Sequence, residues 1–175
     1  MMERTVYYCY ASSPIGRLLL TAERGALTGL FMEPHRHAAS PGEDCEENPD
    51  AAPLAAARRQ LAAFFAGERR DFDLPLAPRG TEFQQRVWQG LQEIPFGATI
   101  SYGELARRIG NAAACRAVGL ANGRNPISII IPCHRVIGAN GTPTGYGGGL
   151  SRKVALLNFE AAVLASGPYP MPHCG

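Results

Sequence analysis

Long apolar runs are missing from this sequence. No stretch of its 175 residues approaches the roughly 18 uninterrupted apolar residues of a membrane helix. The opening Met1-Met2-Glu3-Arg4-Thr5 also lacks the apolar segment of an export signal. A soluble, cytoplasmic chain with no membrane partner is the expectation. Paired cysteines are missing as well: Cys9, Cys45, Cys115, Cys133 and Cys174 are odd in number, irregular in spacing and free of any C-x-x-C pair. That pattern signals neither a disulfide framework nor a zinc ribbon. Nothing in the spacing of Cys9, His35, His37 and Cys45 recommends them as a zinc site. Charge is sparse, 18% of residues against 46% hydrophobic. This is the composition of a globular chain with a core to bury, in one domain or two small ones packed together.

The sparse charge is unevenly spread. Residues 1–80 hold nine arginines against eleven carboxylates, a net −2, whereas residues 81–165 hold seven arginines and one lysine against four glutamates, a net +4. A basic C-terminal half points to a polyanionic partner. The N-terminal half reads as α/β. Residues 5–10, 17–22 and 26–32 are short β-prone runs separated by turn signals, a β-meander. Residues 33–53 lack periodicity and read as a surface loop. Residues 53–66 place Leu54, Ala57, Leu61, Phe64 and Phe65 on one helical face, with Gly67 as the stop. Residues 71–80, with Pro75, Pro78 and Gly80, read as an extended linker. The expected division is an α/β unit over 1–75, a second unit over 76–165, and a disordered tail over 166–175.

Beyond the linker the pattern turns helical. Thr81 caps a helix over 83–94 with Phe83, Val87, Trp88 and Leu91 inward, and Ser101 caps a second over 102–109 with Glu104 completing a capping box. A third helix spans 112–122. Two short helices joined by a Gly-containing turn form a helix-turn-helix pattern. The third is built almost wholly of small residues, so its backbone can lie close to whatever it touches, with Arg116 its one long polar side chain.

Residues 127–131, Ile-Ser-Ile-Ile-Ile, read as a buried strand ending at Pro132-Cys133-His134-Arg135. Apolar burial alone makes a thiol inert, but an imidazole and a guanidinium beside Cys133 can take or counter its proton. Neighbours on a straight strand face opposite ways, so Cys133 and His134 can cooperate only if the chain turns there or a water bridges them. Residues 142–149 form a Gly-rich loop around Tyr146, suited to close approach of a planar ligand. Residues 150–164 form an amphipathic helix whose one internal acid, Glu160, needs a partner. His134 is the natural one, giving a Cys–His–Glu relay.

Together, Ser101-Tyr102-Gly103-Glu104, Arg116-Ala117-Val118-Gly119, Asn125-Pro126, Pro132-Cys133-His134-Arg135-Val136 and Gly145-Tyr146-Gly147-Gly148-Gly149 resemble the 6-O-alkylguanine-DNA alkyltransferases, also called methylated-DNA-protein-cysteine methyltransferases. The resemblance is dense from Thr81 to about Leu164 and only in outline before that. It implies an α/β protein, with an N-terminal ribonuclease-H-like unit and a mainly helical C-terminal domain carrying a winged helix-turn-helix-like motif. It implies a monomer that binds double-stranded DNA containing alkylated guanine through the minor groove. The base is flipped out and its alkyl group passes irreversibly to Cys133, once per molecule, with no cofactor and no metal needed at the active site.

By the same resemblance His134 is the base through a water, Glu160 orients it, Tyr102 donates toward the guanine ring, and Asn125 braces the site. Arg116 enters the base stack, with Ser101, Tyr102, Ala117, Gly119 and Arg135 also facing DNA. Pro132, Val136, Tyr146 and Gly147 line the substrate pocket. Phosphate contacts would come from Arg107, Arg108, Arg124 or Arg152. Some relatives carry a hydroxyl residue at the position of Gly147, so a more open pocket that accepts larger 6-O-alkyl groups is expected; the resemblance also implies 4-O-methylthymine as a substrate. Three rival readings are a lesion sensor without chemistry, a cysteine hydrolase and a regulatory helix-turn-helix protein. The presence of Cys133, the lack of a visible oxyanion hole and the single arginine on the third helix argue against them in turn.

Overall fold

The computed structural model describes residues 4–34, 40–168 and 170–173. The expected meander forms: β1 (Val6–Ala11), β2 (Leu18–Glu23) and β3 (Ala26–Met32) pair antiparallel, with Cys9 opposite Leu20 and Leu20 opposite Leu30. β2 lies in the middle and buries Leu18, Leu19 and Leu20 in succession, as a strand covered on both faces must. The supposed loop contributes a strand. β4 (Cys45–Glu47) runs parallel to β1, giving the order β3-β2-β1-β4. Its Glu46 and Glu47 are exposed, the charged composition of an edge strand, and apolar periodicity could not reveal it.

The helix α1 (Leu54–Phe65) buries the predicted face. Phe64 packs against the rings of Phe72, Phe96 and Phe159, so this N-terminal helix shares one apolar cluster with the C-terminal half. Residues 71–80 are no free linker. Leu27 donates to the Pro75 carbonyl and accepts from the Ala77 amide, both at 2.8 Å, and Gln60 holds the Asp73 backbone through two bonds of 2.9 Å. The open side of β3 carries unpaired peptide groups, and the extended segment satisfies them.

In the C-terminal half, Thr81 and Gln84 form a capping box for α2 (Glu82–Gln92), and the Trp88 indole donates to the Ala121 carbonyl at 2.9 Å. β5 (Ile100–Ser101) pairs in parallel with β6 (Val136–Ile137). Ser101 caps α3 (Tyr102–Arg108), but the expected box stays half-made, because the Glu104 carboxylate turns to Arg107 and Arg108. α4 spans Cys115–Gly123, shorter at its start than expected, and α5 spans Leu150–Ser166. Beyond Gly167 the tail is not loose throughout. Met171 is buried and its amide donates to the Phe65 carbonyl at 2.7 Å, one of the orphan carbonyls at the end of α1.

Candidate active site

The apolar run 127–131 is buried but is not a strand. Only Ile127 makes a bridge, to Leu30. The chain then curls: the Ile131 amide donates to Ile127 at 3.0 Å and Ile129 takes a φ of 71°. The cause is Asn125, whose side chain accepts from the Ile127 amide at 3.0 Å and donates to the Ile131 carbonyl at 2.8 Å. A buried amide thus replaces the ladder partner a strand would have used. Asn125 ties residues 127 and 131 together just before the reactive turn. The curl delivers Cys133, His134 and Arg135 as a single 3₁₀ turn, so their side chains fan out instead of alternating.

Glu160, 1% exposed on α5, gathers that turn. It accepts from His134 Nε2 at 2.6 Å, from Arg135 Nε at 2.7 Å and from the Gly97 amide at 2.9 Å. Gly97 reaches it with φ +79°, and a Cβ there would collide with Leu164, so this position requires glycine. Burial pushes Glu160 upward, but the His134 hydrogen bond, the Arg135 guanidinium and the Gly97 amide outweigh it and hold it below the usual carboxylate range. His134 is fully buried. Burial lowers its pKa, with Arg135 adding to that effect, and the attraction of Glu160 does not restore it. At neutral pH the ring is therefore uncharged. Donation from Nε2 to Glu160 assigns the tautomer, which leaves a lone pair on Nδ1, an atom with no partner among the described residues.

Arg135 was expected on the DNA face and is not there. It is 6% exposed, bound to Glu160, with one guanidinium nitrogen 2.7 Å from the Ile94 carbonyl and the group over the Phe96 ring. A carboxylate in the core is the stronger attractor for it.

Cys133 is 4% exposed. Burial pushes its thiol up, against lowering contributions from Asn125, Lys153 and Tyr146. Lys153 escaped the sequence reading. It is fully buried, desolvation brings it down to about 8, and it donates to the carbonyl of Thr144 at 2.6 Å while lying 3.5 Å from the Tyr102 hydroxyl. The available signal was that the only lysine of the chain stands two helical turns before Glu160 on the same face of α5. Asn122 was also missed. It is buried and donates to the Cys133 carbonyl at 3.4 Å.

A cavity of about 440 Å³ opens beside this cluster, walled by Tyr102, Gly119, Leu120, Arg124, Tyr146 and Gly147 among others. The Tyr146 hydroxyl is buried near the Cys133 sulfur and the Ser128 hydroxyl, and burial raises its pKa well above normal. Pro132 does not share this wall. It borders a separate cavity with Arg70, Ile94 and Ile130, because the 3₁₀ turn carries the chain away after it. Val136 is fully buried in β6 and is not part of the wall either.

On α4, Arg116 and Ala117 are exposed and Gly119 is half-buried. Ser101 spends its hydroxyl on the Glu104 amide. Of the arginines assigned to phosphate, Arg124 is exposed, Arg107 and Arg108 share Glu104, and Arg152 is tied to the carbonyls of Glu33 and Gly148. No cluster of metal ligands exists among the described residues; His35 and His37 lie outside them.

Two family models match the chain, described as the ribonuclease-like domain of 6-O-methylguanine DNA methyltransferase over residues 6–78 and its DNA binding domain over residues 82–162. Among curated proteins, the methylated-DNA–protein-cysteine methyltransferase of Mycolicibacterium paratuberculosis is 54% identical over 155 residues, covering 89% of this chain and 92% of that protein. The protein of the same name from Methanosarcina acetivorans is 51% identical over 158 residues, covering 90% and 99%. Among solved structures, Mycobacterium tuberculosis OGT in complex with DNA superposes with a TM-score of 0.81 at 50% identity, covering 90% of this chain and 93% of that one.

Proposed function

The chain belongs to the 6-O-methylguanine DNA methyltransferase family, and from that premise we propose how its own residues carry the reaction. It is a DNA repair protein that moves an alkyl group from the 6-oxygen of guanine in DNA onto its own cysteine. That oxygen is shielded inside the duplex, so the nucleotide must leave the stack to reach a thiol. The acceptor is Cys133. Its proton passes through a water to Nδ1 of His134, the nitrogen with an unused lone pair. The thiolate attacks the alkyl carbon, a carbon–sulfur bond forms, the carbon–oxygen bond breaks, and its electron pair stays on guanine. Tyr102 donates toward the ring as that charge develops. The imidazolium formed on His134 keeps its Nε2 proton against Glu160, which is already a carboxylate. A thioether is stable and no group in the site is equipped to cleave it, so each molecule reacts once.

The carrying observation is the 2.6 Å bond from His134 to Glu160 in a turn that sets Cys133 directly behind Asn122 and Tyr146, which line the cavity walled by α4. On that helix Arg116 enters the stack from the minor groove, where Ala117 and Gly119 permit close approach. Tyr146 and Gly147 wall the base, and the missing side chain at Gly147 leaves room for alkyl groups beyond methyl. Asn125 holds the reactive turn, and the site is complete within one copy, which supports action as a monomer.

The test is intact-protein mass after mixing with a duplex containing one 6-O-methylguanine, with Cys133→Ser as control. A gain of about 14 Da, confined to Cys133 and stopping at one equivalent, is expected. Tight lesion binding with no gain in mass would make the protein a sensor.

A further inference from the structure

We propose that Leu120 and Arg124 form a clamp at the rim of the nucleotide cavity, Leu120 packing on the deoxyribose of the extruded nucleotide while Arg124 pairs with an adjoining phosphate. The proposal rests on the alkyl-transfer reading. Leu120 is the most exposed of the large hydrophobic side chains among the described residues, at 70%. A single exposed leucine needs no explanation by itself; its position does. Val118, Ala121 and Asn122 turn into the core, which fixes the opposite face of α4 outward. Arg116 and Leu120 on α4 and Arg124, the capping residue just past its end, follow one another at four-residue spacing and so continue one ridge, about 12 Å long at 1.5 Å per residue. Ala117, Gly119 and Gly123 beside it are small, so the leucine stands proud.

Leu120 and Arg124 both border the cavity that holds Tyr102 and Tyr146. Anything passing from a duplex on this ridge into that cavity crosses the pair. Neither Arg116 nor Arg124 has an ion-pair partner among the described residues, whereas Arg107 and Arg108 are held by Glu104. A nucleotide offers apolar C–H faces on its sugar and a charge on its phosphate, the two features the rim matches. The ridge then divides the labour, with Arg116 filling the vacated stack and Leu120 with Arg124 retaining what was extruded.

The clamp touches sugar and phosphate, not the base, and this separates it from the rest of the pocket. Alkyl transfer would be timed for wild type, Leu120→Ala, Leu120→Met and Arg124→Gln. The substrates are a duplex containing one 6-O-methylguanine and the free base 6-O-benzylguanine, which has neither sugar nor phosphate. Leu120→Ala should lower the ratio of duplex rate to free-base rate about tenfold, and Leu120→Met, which keeps the contact area, should hold the ratio within about twofold. Arg124→Gln should lower the same ratio and reduce the salt slope of duplex binding by about one. An unchanged ratio in Leu120→Ala, whether both rates hold or both fall together, overturns the clamp. A wild-type protein that reacts with neither substrate overturns the alkyl-transfer reading itself.

Discussion

Replacing Glu160 by glutamine keeps the shape of the side chain and removes its charge, and the consequences for stability and for rate can be separated. The carboxylate is 1% exposed and bound by both His134 and Arg135. Glutamine leaves the guanidinium buried without a counter-charge, a loss of about 3–5 kcal/mol. The rate suffers independently. A hydrogen bond to a charged group contributes about 1.5–3 kcal/mol, and if most of that is needed when His134 becomes cationic, transfer slows by about 10–150-fold. A second substitution, Arg135→Met, removes the stranded cation. Glu160→Gln/Arg135→Met should therefore recover most of the lost stability in urea unfolding, since neutral replacement of a buried pair is often nearly neutral. Single-turnover transfer at saturating duplex should stay as slow as in Glu160→Gln. Recovery of rate along with stability would refute the relay and reduce Glu160 to a counterion. Arg135→Met alone gives a further check. Arg135 lowers the His134 pKa, so its loss should move the rising limb of the rate profile to higher pH.

Gly97→Ala combines a left-handed φ with a collision against Leu164 and displaces an amide that Glu160 uses; stability should fall by about 2 kcal/mol or more, read as a lower urea midpoint. His134 has a lowered pKa in the folded chain, so the unfolded chain binds the proton first. Stability should then fall as pH drops below about 6.5, by up to about 1.4 kcal/mol per unit, and the same acid limb in His134→Asn would contradict this. Lys153, brought down to about 8, releases its proton in the folded chain before the unfolded one does. Wild type should gain stability relative to Lys153→Met as pH rises from about 8 to 10.5, and a constant difference over that window would count against a buried ammonium. Only some of the surface arginines are free of protein partners, so the salt slope of duplex binding should lie nearer about −2 than −4, as a titration by fluorescence anisotropy would report.

The reactive turn was legible in outline because its residues are chemically unusual where they stand, a thiol, an imidazole and a guanidinium behind five apolar or small residues. The lone acid of α5 was legible for the same reason. What stayed hidden was direction. Hydrophobic run 127–131 reports burial, and burial is what a strand and a tight turn share; the choice was made by the amide of Asn125. Arg135 follows two residues that do chemistry, and only a carboxylate 25 positions later in the chain turns it inward. β4 and the return of Met171 rest on backbone hydrogen bonds to distant partners, to which side-chain periodicity is blind.

Lys153 shows how such a hidden group fits the chemistry once its surroundings are known. Its partners at rest are carbonyls and the Tyr102 hydroxyl, with no carboxylate among the described residues to balance it. Arg135, by contrast, is matched by Glu160. A buried cation without a counter-charge is disfavoured, which is why its pKa falls. On the proposed reaction the missing counter-charge is the Cys133 thiolate, whose attraction favours the charged lysine as the lysine lowers the thiol. The resting site therefore holds one unmatched positive charge, and proton transfer to His134 supplies its match: the thiolate attracts Lys153 and the imidazolium stays bonded to Glu160. The desolvation that makes an isolated buried thiol inert is offset at the moment of ionisation by a charge already in place.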